Sequence, residues 1–374
     1  MEYLKNWKKS GRLIFQPIMG GKVHLFWILA LAIPLAGFTS PNGEPDSERD
    51  ESESGDSFSF FAEQVTLKAV LKTDLRQLIR NPNENTLQDA LFSLELDNGT
   101  TIDYAIKVRP RGISRRNICN MPPLLLKFQK DKNQEKKFRF KGDIKLVSYC
   151  QNKMGFEDFV LKEYLAYKIY NTLTDYSLRV RLVEITYVDE NDKIKPVTKY
   201  SFMIEDIDEM AKRVGCREQK VESVPLFRLN QNCTTDMDLF QYMIGNTDWS
   251  CLKLHNVKII SPRDTAVHGG MIPVPYDFDY SGLVNATYAV PNADLGISSV
   301  TERVFRGMCR APEEYSEIFG RFIGKKSEIL GLIEDMEEMS KTTRNYCRRY
   351  IEQFYQIIES PRSADYEIIK QCRK

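Results

Sequence analysis

The stretch FEDFVLKEYLAYKIYNTL, Phe156 to Leu173, most constrains the fold, because it carries the strongest helical period and interrupts a strand-rich half of the chain. At 3.6 residues per turn, Glu163 falls within about 40° of Phe156, Phe159, Tyr167 and Tyr170 around the helix axis. A carboxylate inside an aromatic stripe needs a cationic partner if that face is buried, or solvent if the face is half-exposed. Helix geometry alone leaves both readings open.

Around this helix the signals are β-type from Phe58 to about Phe140. QVTLKAVLKT alternates, LFSLELDNGTTIDYAIKVRPRG reads as two strands about a turn at Asp97-Asn98-Gly99, and PPLLLKFQK is a short apolar strand. Beyond the helix, LRVRLVEITYVDENDKIKPVTKYSFMIED reads as a hairpin turning at DENDK. Helices then dominate: Ile207 to Val214, roughly Asp236 to Ile244, and about three between Pro312 and Cys372. The expected class is α+β, in two lobes that share a cleft: a β-rich N-lobe over about 58–205 with one key helix, and a mainly helical C-lobe over about 206–374.

The first 57 residues are of another kind. A basic leader precedes the apolar run LFWILALAIPLAGF, Leu25 to Phe38, which contains Pro34 and falls short of the roughly 20 residues of a membrane span. Residues 1–40 read as a signal peptide or an uncleaved N-terminal anchor, and the acidic, Ser-, Gly- and Pro-rich 41–57 as a disordered linker. The expected location is exported: periplasmic, extracellular, or anchored and facing outward. Eight scattered cysteines without CxxC spacing fit that compartment and argue against zinc. Cys309 and Cys372, each beside an arginine at an edge of the helical region, are the pair singled out for a disulfide. With 53 basic against 52 acidic residues, nothing in the charge balance points to nucleic acid or to a membrane surface.

The chemistry-bearing residues frame a short apolar hairpin. GNTDWSCLKLHNVKII, Gly245 to Ile260, precedes it and VPYDFDYSG, Val274 to Gly282, follows it, so acids stand at both ends of a buried element. Charge in such a place is costly to desolvate unless the acids are solvated turn residues or converge on something positive. Phosphoryl transfer is one chemistry that uses the second arrangement. It needs hard oxygen ligands for a divalent cation, a carboxylate at the acceptor hydroxyl, and a lysine on the phosphates braced by a glutamate. The chain offers that order in Lys127, Glu163, Asp248, Asn256 and Asp277. No GxGxxG loop is present, and the basic RPRGISRR, Arg109 to Arg116, is the candidate cover for phosphates or else a solvated hairpin tip. The Asp248-to-Asn256 spacing of eight is longer than in the kinase pattern HRDxxxxN.

The ordered set resembles the spore-coat (CotH-type) family of atypical secreted kinase-like proteins, from roughly Tyr104 to Gly282. The matching elements are Arg111 to Ser114, Lys127 with Phe128, the stretch up to Leu173, TDWSCLKLHNVKII with its longer spacing, and VPYDFD; GNTD is also similar to the catalytic loop of HipA-type kinases. The resemblance implies an exported kinase moving the γ-phosphate of ATP, with Mg²⁺ or Mn²⁺, to a protein or other hydroxyl acceptor. Asp248 would be the catalytic carboxylate, and Asn256 and Asp277 the metal ligands. Lys127 would touch phosphate and pair with Glu163, Arg111 would cover the nucleotide, and Met203 to Glu205 would pass the adenine. His255 would orient its loop, while Asp279 is read as a turn cap in preference to a second metal ligand. His24 and His268 support neither a triad nor a zinc site. Two alternatives stand beside this one: a catalytically silent pseudokinase that binds, and a metal-dependent hydrolase using Asp248, Asp277 and Asp279.

Overall fold

The computed structural model describes residues 60–374 except 63–64, 81–85, 97, 113–114, 116–117, 130–137, 139, 141–142 and 265–268, all within one compact unit, Ser54–Lys374. The expected leader and linker, Ser114 and His268 therefore lie outside the described residues. Among those described, no helix is long and apolar enough to cross a membrane.

Seven strands close a mixed barrel in the order β1 (Leu67–Thr73), β2 (Gln88–Glu95), β3 (Thr101–Pro110), β4 (Leu124–Phe128), β5 (Asp143–Val147), β7 (Val197–Ile204) and β6 (Val180–Asp189). Alternation drives it: in β1 the buried Leu67, Ala69, Leu71 and Thr73 point inward between exposed lysines and Val70. Phe92, Tyr104, Leu126, Ile144, Leu146, Ile185 and Met203 fill the same interior. A short helix, α1 (Leu75–Arg80), follows β1.

Helix α2 (Glu157–Leu173) packs on the outside of β6 and β7. Its Val160, Leu161, Leu165 and Ile169 join Val180, Leu182, Phe202 and Ile204 of those strands in a second core. Much of that core comes from α4 (Gln231–Ile244), α5 (Pro312–Gly324), α6 (Lys326–Glu334) and α7 (Lys341–Glu359), joined by residues such as Ile260, Val274 and Phe278. Between them run α3 (Ile207–Arg213) and a three-stranded sheet of β8 (Cys216–Glu218), β9 (Val257–Pro262) and β10 (Ile272–Pro275) in the order β10-β9-β8. The last helix is α8 (Pro361–Glu367). Disulfides join Cys119 to Cys150 and Cys309 to Cys372, the second being the pair singled out from sequence. Two disulfides are compatible with an exported protein.

The two-lobed, atypical kinase-like fold expected from the sequence is overturned. β1 pairs in parallel with β6 from Leu67↔Val183 to Thr73↔Asp189, which closes the sheet on itself where a β-rich lobe would end in free edges. The helices form no lobe of their own either, since their core is continuous with the outer face of β6 and β7. Nothing local announces a parallel pairing between segments so far apart in sequence.

Candidate functional site

The Asp248 loop is built from the end of a helix. Gly245 ends α4 in the left-handed region at φ 64, and a Cβ there would meet the Tyr350 hydroxyl at 2.0 Å, so only glycine fits. Asn246 then makes the turn: its Nδ2 donates to Gln241 Oε1 at 3.0 Å and its Oδ1 accepts from the Asp248 N–H at 2.9 Å. The extra residues between Asp248 and Asn256 fold into a small bridge, with Ser250 and His255 exchanging backbone bonds of 2.9 and 3.0 Å. The bridge returns Asn256 to Asp248, and this is how the long spacing is absorbed. His255 Nε2 lies 2.8 Å from Asp248 Oδ1.

Asn256 Nδ2 donates both to the Asp248 carbonyl at 2.8 Å and to Asp248 Oδ2 at 3.0 Å. Two acceptors on one side fix the amide's orientation and turn Oδ1 the other way. Asn256 O accepts from the Tyr276 N–H at 3.0 Å, which ties the loop to the segment that carries Asp277. Asp277 sits at φ 63 and Asn256 at φ 52, both left-handed, a region that Asn and Asp tolerate better than most residues. The Asp277 N–H donates to the Tyr167 hydroxyl of α2 at 2.9 Å.

Glu163 is fully buried one turn before Tyr167, and its cationic partner is Arg115, whose Nη1 lies 3.0 Å from Glu163 Oε2. Arg115 Nε also stands 3.8 Å from Asp279 Oδ2. Burial alone would lower the Arg115 pKa, but Tyr288, Glu163, Asp279 and Asp277 around it raise it, so the guanidinium stays charged. Burial pushes Glu163 upward against the pull of Arg115, and pushes Asp279 up to about 7 with Asp277 adding to the rise. The Tyr288 hydroxyl lies beside Asp279 without closing a regular hydrogen bond. Glu163 Oε1 has no hydrogen-bond partner.

Arg111, Lys145, Glu163, Tyr167 and Asp277 line a narrow cleft walled by Val147, Leu178, Ile204 and Tyr276, with about 10 Å³ of space inside it. That is room for about one water, far below the roughly 300–1,000 Å³ of ordinary ligand pockets, so a nucleotide would meet these side chains from outside the cleft. Lys145 Nζ stands 5.2 Å over the Tyr276 ring. Burial first, then Arg111 and Lys258, lower its pKa to about 8. An open hollow on α1, lined by Asp74, Arg76, Gln77 and Arg80, holds none of the residues singled out from sequence.

The cleft thus brings together Glu163, Asp277 and Arg111, with Asp248 and Asn256 joined to it through Tyr276. Three expectations are corrected. Lys127 is exposed on the outer face of β4, opposite Lys107 and Asp143, and does not reach Glu163; Lys145 is the lysine in the cleft. Met203 is wholly buried inside the barrel, and the cleft wall is its neighbour Ile204. Glu205 is held by Arg213, with Nε to Oε1 at 3.0 Å and Nη2 to Oε2 at 2.9 Å, and by the Arg179 N–H, so its carboxylate is committed to the fold. Asp279 faces Arg115, whose Nε stands 3.8 Å from its Oδ2. Sequence reasoning missed Lys145, Arg115 and Tyr167. The alternation of DIKLV, with Ile144 and Leu146 inward, was a readable signal for Lys145.

Among the described residues, no group of three or more His, Cys, Asp and Glu is placed to hold a metal ion. Two hard oxygens are nonetheless without a protein hydrogen bond among the described residues. Asn256 Oδ1 is aimed away from Asp248, and among the described residues nothing hydrogen-bonds to the Asp277 carboxylate; both are hard oxygens of the kind magnesium takes beside phosphate.

No family model matches the chain, and no curated protein matches it. Among solved structures it is similar to the Helicobacter pylori proinflammatory kinase CtkA, at 10% identity and a TM-score of 0.36, over 66% of this chain and 91% of that one. A likeness of that extent carries no argument.

Proposed function

We propose that the chain is a phosphotransferase that moves the γ-phosphoryl group of ATP to a hydroxyl acceptor, in the manner of the spore-coat kinases whose residue order it resembles. The observation that carries the reading is the locked Asn256 amide, whose backbone carbonyl ties its loop to the segment bearing Asp277, which lines a cleft with Lys145 and Arg111. Lys145 and Arg111 bind phosphate oxygens as charge-assisted donors. Asn256 Oδ1 and Asp277 would hold Mg²⁺ or Mn²⁺, which supplies neutralisation of phosphate charge. Asp248, half-exposed and oriented by His255 and Asn256, accepts the proton of the acceptor hydroxyl. Exported location belongs to the same proposal.

A second reading has its own observation. Glu163 is engaged by Arg115, so the brace that a phosphate-bound lysine receives in kinases is absent here, which favours nucleotide binding without transfer. The hydrolase alternative loses a ligand, since Asp279 is committed to Arg115.

The decisive variant is Asp277→Asn, which tolerates the left-handed backbone and removes only the charge. Wild-type chain should melt higher with Mg-ATP than without it and transfer labelled phosphate, and Asp277→Asn should lose at least about 100-fold in transfer. Undiminished transfer in that variant sinks the assignment; a melting shift without transfer in wild type selects the silent reading.

A further inference from the structure

The carbonyls on either side of Asp248 belong to Thr247 and Trp249, and one side chain holds both. Arg306 Nη1 donates to Thr247 O and to Trp249 O, the latter at 2.9 Å, and its guanidinium stands 5.2 Å over the Trp249 ring. Both bonds come from the one Nη1 nitrogen, whose place the planar guanidinium fixes as it stacks on the ring; a lysine ammonium at the end of a flexible stem lacks that fixed plane.

The backbone that carries Arg306 is itself clamped. Gly307 is pressed against α4: a Cβ there would come within 2.8 Å of Asp238 Oδ2 and 2.5 Å of the Phe305 ring. Asp238 is buried and sits in the field of Arg306, Arg310 and Arg373. From the other side the end of the chain is stitched on. Arg373 N donates to Gly307 O and Arg373 O accepts from Cys309 N, both at 2.9 Å, and the Cys309–Cys372 disulfide closes the stitch.

We propose that Arg306 is a positioning residue for Asp248, and that the Cys309–Cys372 disulfide, through the stitched C-terminus, holds Arg306 in register. The inference rests on the reading of Asp248 as the carboxylate at the acceptor hydroxyl, but its first readout does not need activity.

Amide hydrogen exchange over residues 246–251 is compared with exchange over the barrel strands, in wild type, in Arg306→Lys and in the Cys309→Ser/Cys372→Ser double variant. The expected result is faster exchange confined to 246–251 in both variants, with kcat down about tenfold or more in Arg306→Lys and the apparent affinity for Mg-ATP unchanged. Unchanged exchange at 246–251 in Arg306→Lys overturns the inference. So does acceleration spread equally over the barrel, which is the signature of a stability role. If Arg306→Lys fails to fold, the double variant decides by the same comparison. If wild type transfers no phosphate while the exchange result holds, the proposed function fails and the positioning of the loop stands.

Discussion

Two lysines on neighbouring strands show how finely the site is decided at the scale of a residue. Lys127 and Lys145 both point out of the barrel, and the register places Lys145 opposite Leu125 and Lys127 opposite Asp143, one alternation apart. That offset puts one amine in the cleft and leaves the other in water. Lys145 is held down to about 8 by burial and by the cations Arg111 and Lys258, so it is charged below that pH and neutral above it. On the proposed reading, its grip on phosphate would be present at neutral pH and lost as pH rises through about 8, later where bound phosphate stabilises the ammonium. Calorimetric titration with Mg-ATP should show affinity weakening several-fold from about pH 7 to about pH 9, with Lys145→Arg nearly flat over the same interval. At neutral pH, Lys145→Ala should cost about tenfold or more and Lys127→Ala nothing. A loss with Lys127→Ala would return the phosphate role to β4. Which acids and amides lie together was legible from type and order: Asn256 bonds Asp248, and its carbonyl holds the segment that carries Asp277. Their cationic counterparts were not, because Lys145 and Arg115 owe their places to strand register and to an irregular turn.

At the scale of the element, α2 joins the parts. Its sequence announced its own existence and left open whether Glu163 meets a cation or solvent; the buried Glu163–Arg115 pair decides for the cation. What the stripe did not announce is that Tyr167 is a hydrogen-bond acceptor for the Asp277 N–H, because an aromatic at helical spacing reads first as core. Tyr167→Phe leaves that N–H without its partner in a buried place, at a cost of about 1–3 kcal/mol. The expected outcome is a lower melting temperature and a fall in transfer at unchanged acceptor affinity, since the left-handed turn at Asp277 loses its anchor. A variant with wild-type melting behaviour and turnover would show that the turn holds itself. Strands and helices elsewhere were largely readable from their periods, as with the β6–β7 hairpin and α3. The short β5 was passed over although DIKLV alternates, its five residues lying just beyond the strand-rich stretch that ends near Phe140.

For the whole molecule, the continuity of the second core decides how the chain comes apart. Phe202 of β7 is fully buried, and it touches the rings of Tyr164 and Tyr167 on α2 while its strand closes the barrel. Two lobes joined by a hinge would melt as two units; a barrel whose outer face is the floor of the helical core has no such seam. Phe202→Ala removes a ring shared by both sides and should cost about 3–5 kcal/mol. Urea unfolding is followed by far-ultraviolet circular dichroism and by Trp249 fluorescence, in a chain with Trp7 and Trp27 replaced by phenylalanine. The two curves should coincide in the parent and shift together to lower urea in Phe202→Ala, with the slope unchanged. Separate midpoints for the two signals, or a shift in only one of them, would mean that barrel and helices are independent and that the shared core does not couple them.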